Sequence, residues 1–203
     1  MVSDGIHLAD EQLVSLTKDG SLDAFNRLVE RYQSSVYGLC LRLLGSPQAA
    51  EDAAQEAFLS AYRALPSFAG GNVRSWLLRI AANESKDELR RRKRKDPAGS
   101  LNEMFDNPDA PVEVPDPGEA VELIVERKEF GEHIQRALLL LPFDQRQAIV
   151  LSDLHGYHYE EIATMTGASV GTVKSRIHRG RERLRKVLSG QPELFGNARR
   201  LDS

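Results

Sequence analysis

YEEIATMTGASVGTVKSRIHRGRERLRKVL, residues 159–188, joins a short apolar helix pattern, a tight turn and a long basic helix. Tyr159 to Met165 puts Ile162 and Ala163 on one inward side. Gly167 can take the positive-φ geometry of a sharp bend, and Ser169 can accept a bond from an exposed N–H at the start of the next helix. From Val170 onward, Val173, Ile177, Gly180, Leu184 and Leu188 recur at three-and-four spacing and form a buried side. The other side carries Thr172, Ser175, Arg176, Arg179 and Arg183, with Lys174 at its margin. A helix whose first turn enters a major groove needs those residue types: Arg reads guanine through two bonds, and Ser or Thr bonds to bases or phosphates. A solvated basic helix would show the same charge run, but not the preceding helix, turn and cap.

Working outward, Leu123, Phe130, Ile134, Ala137, Leu138 and Leu141 share one helix face; Pro142 ends it, and a further helix passes through Ile149, Val150 and Leu154 to Gly156. In the first half, Phe25, Leu28, Val29, Tyr32, Val36, Leu39 and Leu43 repeat the same spacing up to Gly45. Ser46 and Pro47, a cap followed by a first-turn proline, open another helix with Ala50, Ala54, Phe58, Ala61, Tyr62 and Leu65. Pro66 stops it, and after Gly70-Gly71 a third pattern with Trp76, Leu77, Ile80 and Ala81 inward runs into basic residues. Residues 96–118 hold five prolines and little apolar periodicity, which reads as an extended linker. The expected fold is all-α: two small helical domains, 1–95 and 119–190, joined by an acidic Pro-rich linker, 96–118, and followed by a polar tail, 191–203.

Composition sets bounds on function. Hydrophobic residues make up 41% and aromatics 6%, a mixture that favours helix over sheet. The net charge of −3 conceals segregation. Arg90 to Lys95 are six consecutive cations, Asp96 to Glu122 hold eight acids and no base, and Lys174 to Lys186 carry seven cations against Glu182. Two basic blocks thus flank an acidic spacer and offer two phosphate-binding surfaces. There is no long apolar run and no secretory signal, so the chain is expected to be cytoplasmic with no membrane insertion. Cys40, the single cysteine, lies in an apolar helical pattern and reads as a small buried hydrophobe. His155, His158 and His178 lack a fourth metal ligand. Glu160-Glu161 beside His158, and Asp52 with Glu56, are accounted for as helix surface charge, with no nucleophile or phosphate loop nearby. No enzyme activity, cofactor or metal is expected.

Four segments carry a family resemblance: AAEDAAQEAFLSAYRAL (49–65), FAGGNVRSWLLRIAANESKDELRRRKR (68–94), LLLLPFDQRQAIVLSDLHGYHYEEIA (138–163) and GASVGTVKSRIHRGRERLRKVL (167–188). Together they resemble the extracytoplasmic-function sigma factors of bacterial RNA polymerase, which hold only conserved regions two and four. The resemblance implies that the chain binds core RNA polymerase and directs promoter recognition, opening and initiation, for a stress-response regulon. It implies that Asp52, Gln55 and Glu56 dock on the polymerase clamp helices. Phe68, Asn72 and Asn83 would hold an unstacked base of the minus-ten element while Arg79, Lys86 and Arg90 face phosphates. Ser169, Thr172, Lys174, Ser175, Arg176 and Arg179 would contact the minus-thirty-five duplex, and the same domain would pack on the polymerase flap. Trp76 fits core packing, with its indole able to brace the base pocket. His158 departs from the family pattern, where Ser or Thr caps the YEEIA helix, so that helix start is expected to be weak or capped differently.

The resemblance also implies an anti-sigma factor as partner, and a linker running toward the polymerase cleft; a solvated tether explains the linker equally well. The free chain is expected to bind promoter DNA weakly, because its acids oppose its basic helices until polymerase places both domains on DNA. The alternative is a stand-alone helix-turn-helix regulator using only the C-terminal module. It would require a dimer interface and paired half-sites, and it leaves the first basic helix without a role.

Overall fold

The computed structural model describes residues 8–95 and 121–189; the expected linker 96–118, the tail 191–203 and the side chain of Leu123 lie outside the described residues. Among the described residues there are eight α-helices and no strand. An amino-terminal group holds α1 (Asp10–Lys18), α2 (Leu22–Leu44), α3 (Pro47–Ala64) and α4 (Val73–Lys95), with a 3-10 turn at Leu65–Ser67. A carboxy-terminal group holds α5 (Val121–Leu139), α6 (Phe143–Ile149), a π-helical turn at Val150–Leu154, α7 (Tyr159–Thr166) and α8 (Val170–Ser189).

The predicted punctuation recurs in the backbone. Gly45 closes α2 at φ +78°, with its N–H returning 2.8 Å to the Leu41 carbonyl. Ser46 then caps α3 by accepting the Ala49 N–H at 3.3 Å, with Pro47 next. α3 meets α2 and α4 through Ala49, Ala50, Ala53, Ala54, Ala57 and Ala61, a stripe of small side chains that lets the helix axes approach closely. Helix α1 was not foreseen. Its buried face is only Leu13, Val14 and Thr17, and it is fastened by Asp10, whose carboxylate accepts from both Arg31 and Tyr32 of α2. Burial and that carboxylate push the Tyr32 hydroxyl up to about 12.

In the carboxy-terminal group, α6 passes into the π turn and ends where the His155 N–H reaches the Val150 carbonyl at 3.1 Å. Leu154, at the end of that turn, is 54% exposed. Phe130 and Tyr62, read from the pattern as sharing a helix face with core residues, are 46% and 43% exposed. Tyr62 still meets Phe25 edge-on, with ring centroids 4.9 Å apart.

The two groups share one continuous core. Leu139 of α5 packs over Gly45 so tightly that a Cβ there would overlap its side chain. Gln135 donates to the Leu41 carbonyl at 3.1 Å and accepts from Arg42 at 3.0 Å. Arg146, 6% exposed, donates to the carbonyls of Leu43, Leu139 and Leu141, the last two at 3.0 Å.

The crossing of α6 and α8 generates a paired prediction. A Cβ on Gly180 would overlap Ile149, whereas one on Gly171 meets only Ser169 Oγ at 3.8 Å. In chemical denaturation, Gly180→Ala should lower stability by about 1–3 kcal/mol through overpacking. Gly171→Ala should instead leave it unchanged or raise it by up to about 1 kcal/mol through reduced chain entropy.

Candidate nucleic-acid interface

The bend between α7 and α8 forms as its residues dictate. Gly167 takes φ +65°, and Ser169 Oγ accepts the Thr172 N–H at 3.1 Å while lying 2.9 Å from the Thr172 hydroxyl. His158 makes no side-chain cap to α7; the helix start is held instead by Glu161, whose carboxylate accepts the His158 N–H at 2.8 Å. Val173, Ile177 and Gly180 are buried, as the periodicity requires. That burial turns Thr172, Lys174 and Arg179 to solvent, with Ser175 and Arg176 half-buried beside them. Arg176 is not idle: its guanidinium lies 3.0 Å from the Asp144 carboxylate. Arg181, on the other side of α8, grips Asp153 with two bonds of 2.6 and 3.1 Å and so pins α8 to the π turn.

On α4, Arg79, Asn83, Lys86 and Arg90 follow one another at three-and-four spacing on a single face. Arg79 and Asn83 are exposed, Arg90 pairs with Asp87 at 2.9 Å, and Lys86 reaches Asp144 at 3.0 Å. Asn72 acts as the cap of α4, accepting the Ser75 N–H at 2.9 Å. Phe68 leans on Trp76 with centroids 4.7 Å apart, and its carbonyl accepts from Lys18 of α1 at 2.7 Å. Trp76 is half-buried against the core, in keeping with core packing. Asp52, Gln55 and Glu56 lie together on the outer side of α3, the first two exposed and Glu56 3.5 Å from Arg63. Leu59, on the same helix, is 51% exposed.

The structure brings together two candidate sets that sequence spacing kept apart. Asp144 stands between Lys86 of α4 and Arg176 of α8. A second junction joins Arg74 of α4 to His155 Nδ1 at 3.1 Å, with the guanidinium 5.4 Å from the Tyr157 ring centroid. Since Arg74 can only donate, His155 Nδ1 accepts and the ring is neutral. Burial, with the Arg74 charge second, pushes the His155 pKa down to about 4. Asp144, Arg74 and the π turn were not singled out from the sequence; the acid two residues past Pro142 and the cation at the head of α4 were the available signals.

Two predictions follow from this geometry. Ser169→Asp keeps a capping oxygen, so thermal stability should stay near that of the parent, whereas Ser169→Ala should lose about 1 kcal/mol. A carboxylate there also repels phosphate, so Ser169→Asp should weaken DNA binding measured by fluorescence anisotropy. For His155, the folded-state pKa lies below the unfolded value, so the unfolded chain binds the extra proton. Stability should be full above about pH 6.5 and fall as the pH drops from there toward 4. Denaturation midpoints measured across that range should show a shallower slope for His155→Asn.

Residues 28–95 match the family described as Sigma-70 region 2, and residues 132–184 match Sigma-70, region 4. The chain is 39% identical over 190 residues to the RNA polymerase sigma-H factor of Pseudomonas aeruginosa, covering 91% of this chain and 95% of that protein. It is 40% identical over 180 residues to the ECF RNA polymerase sigma-E factor of Escherichia coli K12, covering 86% and 92%. Among solved structures, the sigma factor RpoE of Bartonella quintana, crystallised with the anti-sigma factor NepR, superposes with a TM-score of 0.62 at 27% identity, over 84% of this chain and 99% of that one. CnrH in complex with the cytosolic domain of CnrY shares the fold at a TM-score of 0.63 and 24% identity, over 90% and 98%. The region 2 match accounts for the first half of the chain, which the stand-alone regulator reading left without a role. This chain belongs to the extracytoplasmic-function sigma factors of the sigma-70 family.

Proposed function

We propose that the chain works in the cytoplasm as a non-enzymatic specificity subunit: it binds core RNA polymerase, directs it to promoters and opens them. Residues 1–95 act at the minus-ten element and 119–190 at the minus-thirty-five element, with 96–118 as the connection. The observation that carries this is the pairing of two cationic helix faces, on α4 and on α8, in one chain that matches both sigma regions in order. On α8, Thr172, Lys174, Ser175, Arg176 and Arg179 meet the duplex, where one Arg bonding bidentately to guanine fixes a base pair and the others fix register on phosphates. Ser169 contributes through the cap that orients the first turn. On α4, Asn83 offers hydrogen bonds to a displaced base, Phe68 and Trp76 supply an aromatic wall, and Arg79, Lys86 and Arg90 face the strand's phosphates. Asn72 serves this site by starting the helix.

Asp52, Gln55 and Glu56 form the polymerase contact at the clamp helices, and the exposed Leu59 and Tyr62 supply an apolar border beside those acids. The carboxy-terminal group rests on the flap. An anti-sigma factor is a further partner, in keeping with the one bound to the Bartonella quintana relative.

The test is in vitro transcription with core polymerase on a promoter library. Arg176→Ala should relax selection at the upstream element by about 1–3 kcal/mol at one base pair. Asn83→Ala should leave that selection intact and reduce open complex. Unchanged initiation by both variants from the same promoters would refute the assignments.

A further inference from the structure

We propose that α1 is a brace for the loop that starts at Phe68, and that Lys18 is its positioning residue: the ammonium at the end of α1 holds the Phe68 carbonyl and so sets where the aromatic wall stands. The proposal rests on the minus-ten role given to Phe68 and Trp76 under Proposed function.

The loop has little of its own to fix it. Between Phe68 and the cap at Asn72 lie Ala69, Gly70 and Gly71, all exposed. The two glycines take φ +103° and +100°, and a Cβ on either would face open space. The position of the stretch is therefore set at its two ends. At one end Asn72 accepts the Ser75 N–H at 2.9 Å. At the other end Phe68 is held three ways. Its N–H donates to the Leu65 carbonyl at 3.0 Å, and its ring leans on Trp76 with centroids 4.7 Å apart. Its carbonyl accepts from Lys18 Nζ at 2.7 Å, across fifty positions of sequence. The first two contacts come from the segments that the loop itself joins, so they can move with it; the third comes from a separate helix.

Helix α1 is placed to deliver that contact. Its nine residues are too few for a helix to stand alone in water, and its buried face is Leu13, Val14 and Thr17. Its first turn is fastened to α2 through Asp10 with Arg31 and Tyr32, and Arg31 also donates to the Leu8 carbonyl at 2.8 Å. The helix also packs on the 3-10 turn Leu65–Ser67 that leads into the loop. Lys18 is the last residue of α1 and reaches from there to Phe68. A charged donor makes this bond stronger than a neutral pair would, yet it is open to solvent. Losing it frees Phe68 without unfolding the helix group. Helix α1 lies ahead of the stretch 28–95 that matches region 2, and the brace gives it a part in reading the downstream element.

Trp76 is the single tryptophan, so its emission reports on the loop in the free full-length chain. Lys18→Met keeps the length of the stem and removes the donor. Acrylamide quenching of Trp76 should rise about two-fold as the Phe68 ring leaves it, with little change in the thermal midpoint. Lys18→Arg keeps a donor and should restore the parent value. The second readout uses core polymerase and a promoter carrying 2-aminopurine in the non-template strand of the minus-ten element. There Lys18→Met should lower open complex at least about three-fold, Lys18→Arg should recover it, and selection at the upstream element should not change. Parent-like quenching in Lys18→Met overturns the brace even if opening falls, because that pattern belongs to a lysine bonded directly to phosphate. Raised quenching with normal opening overturns it when Phe68→Ala opens poorly. If Phe68→Ala also opens normally, the brace stands and the minus-ten assignment of Phe68 fails.

Discussion

The closed structure depends on one buried guanidinium. Arg146 enters the seam between the helix groups and donates to the carbonyls of Leu43, at the end of α2, and of Leu139 and Leu141, at and just beyond the end of α5. Those carbonyls lie at the negative ends of two helix dipoles and have lost their intrahelical donors. One cation satisfies them together, and so joins elements more than a hundred positions apart in the chain. Burial lowers its pKa to about 10, leaving it charged at neutral pH. A buried cation of this kind tolerates little drift of the two helix ends, because withdrawing one carbonyl strands a charge in a dry seam.

Around that seam Arg176 and Lys86 both meet the carboxylate of Asp144; on promoter DNA, as proposed, phosphates take its place. Arg74 divides its donors between His155 and Tyr157. Asp144 thus draws one cation from each of the two basic helices that the proposed function turns toward DNA.

Much of the fold was legible because helix periodicity marks which side of each helix is inward. Gly45, Ser46-Pro47, Pro142, Gly167 and Ser169 ended or began helices where their backbone preferences demanded. Helix α1 escaped notice because only Leu13, Val14 and Thr17 face inward and its anchor, Asp10 with Arg31 and Tyr32, crosses more than twenty positions. The π turn at Val150–Leu154 is not legible because no spacing rule for an α-helix anticipates the phase it adds. The basic face of α8 was readable as a face, but not its present partner: Asp144 and Arg176 are 32 positions apart, and a pattern assigns sides without saying which sides meet. Asn72 and Ser169 show a second limit. Both are side chains suited to nucleic acid, and both also lend an oxygen to a helix cap, a use that residue type alone does not reveal.

The proposed roles of α4 and α8 require a chain folded shut on itself to open in order to span a promoter. It is tested most directly by energy transfer between dyes on α2 and α8, followed as core polymerase and then a promoter fragment are added. High transfer in the free chain, collapsing to near zero in the promoter complex as the separation approaches about 85 Å, is the predicted course. Transfer that stays high while the same complex initiates transcription would contradict it.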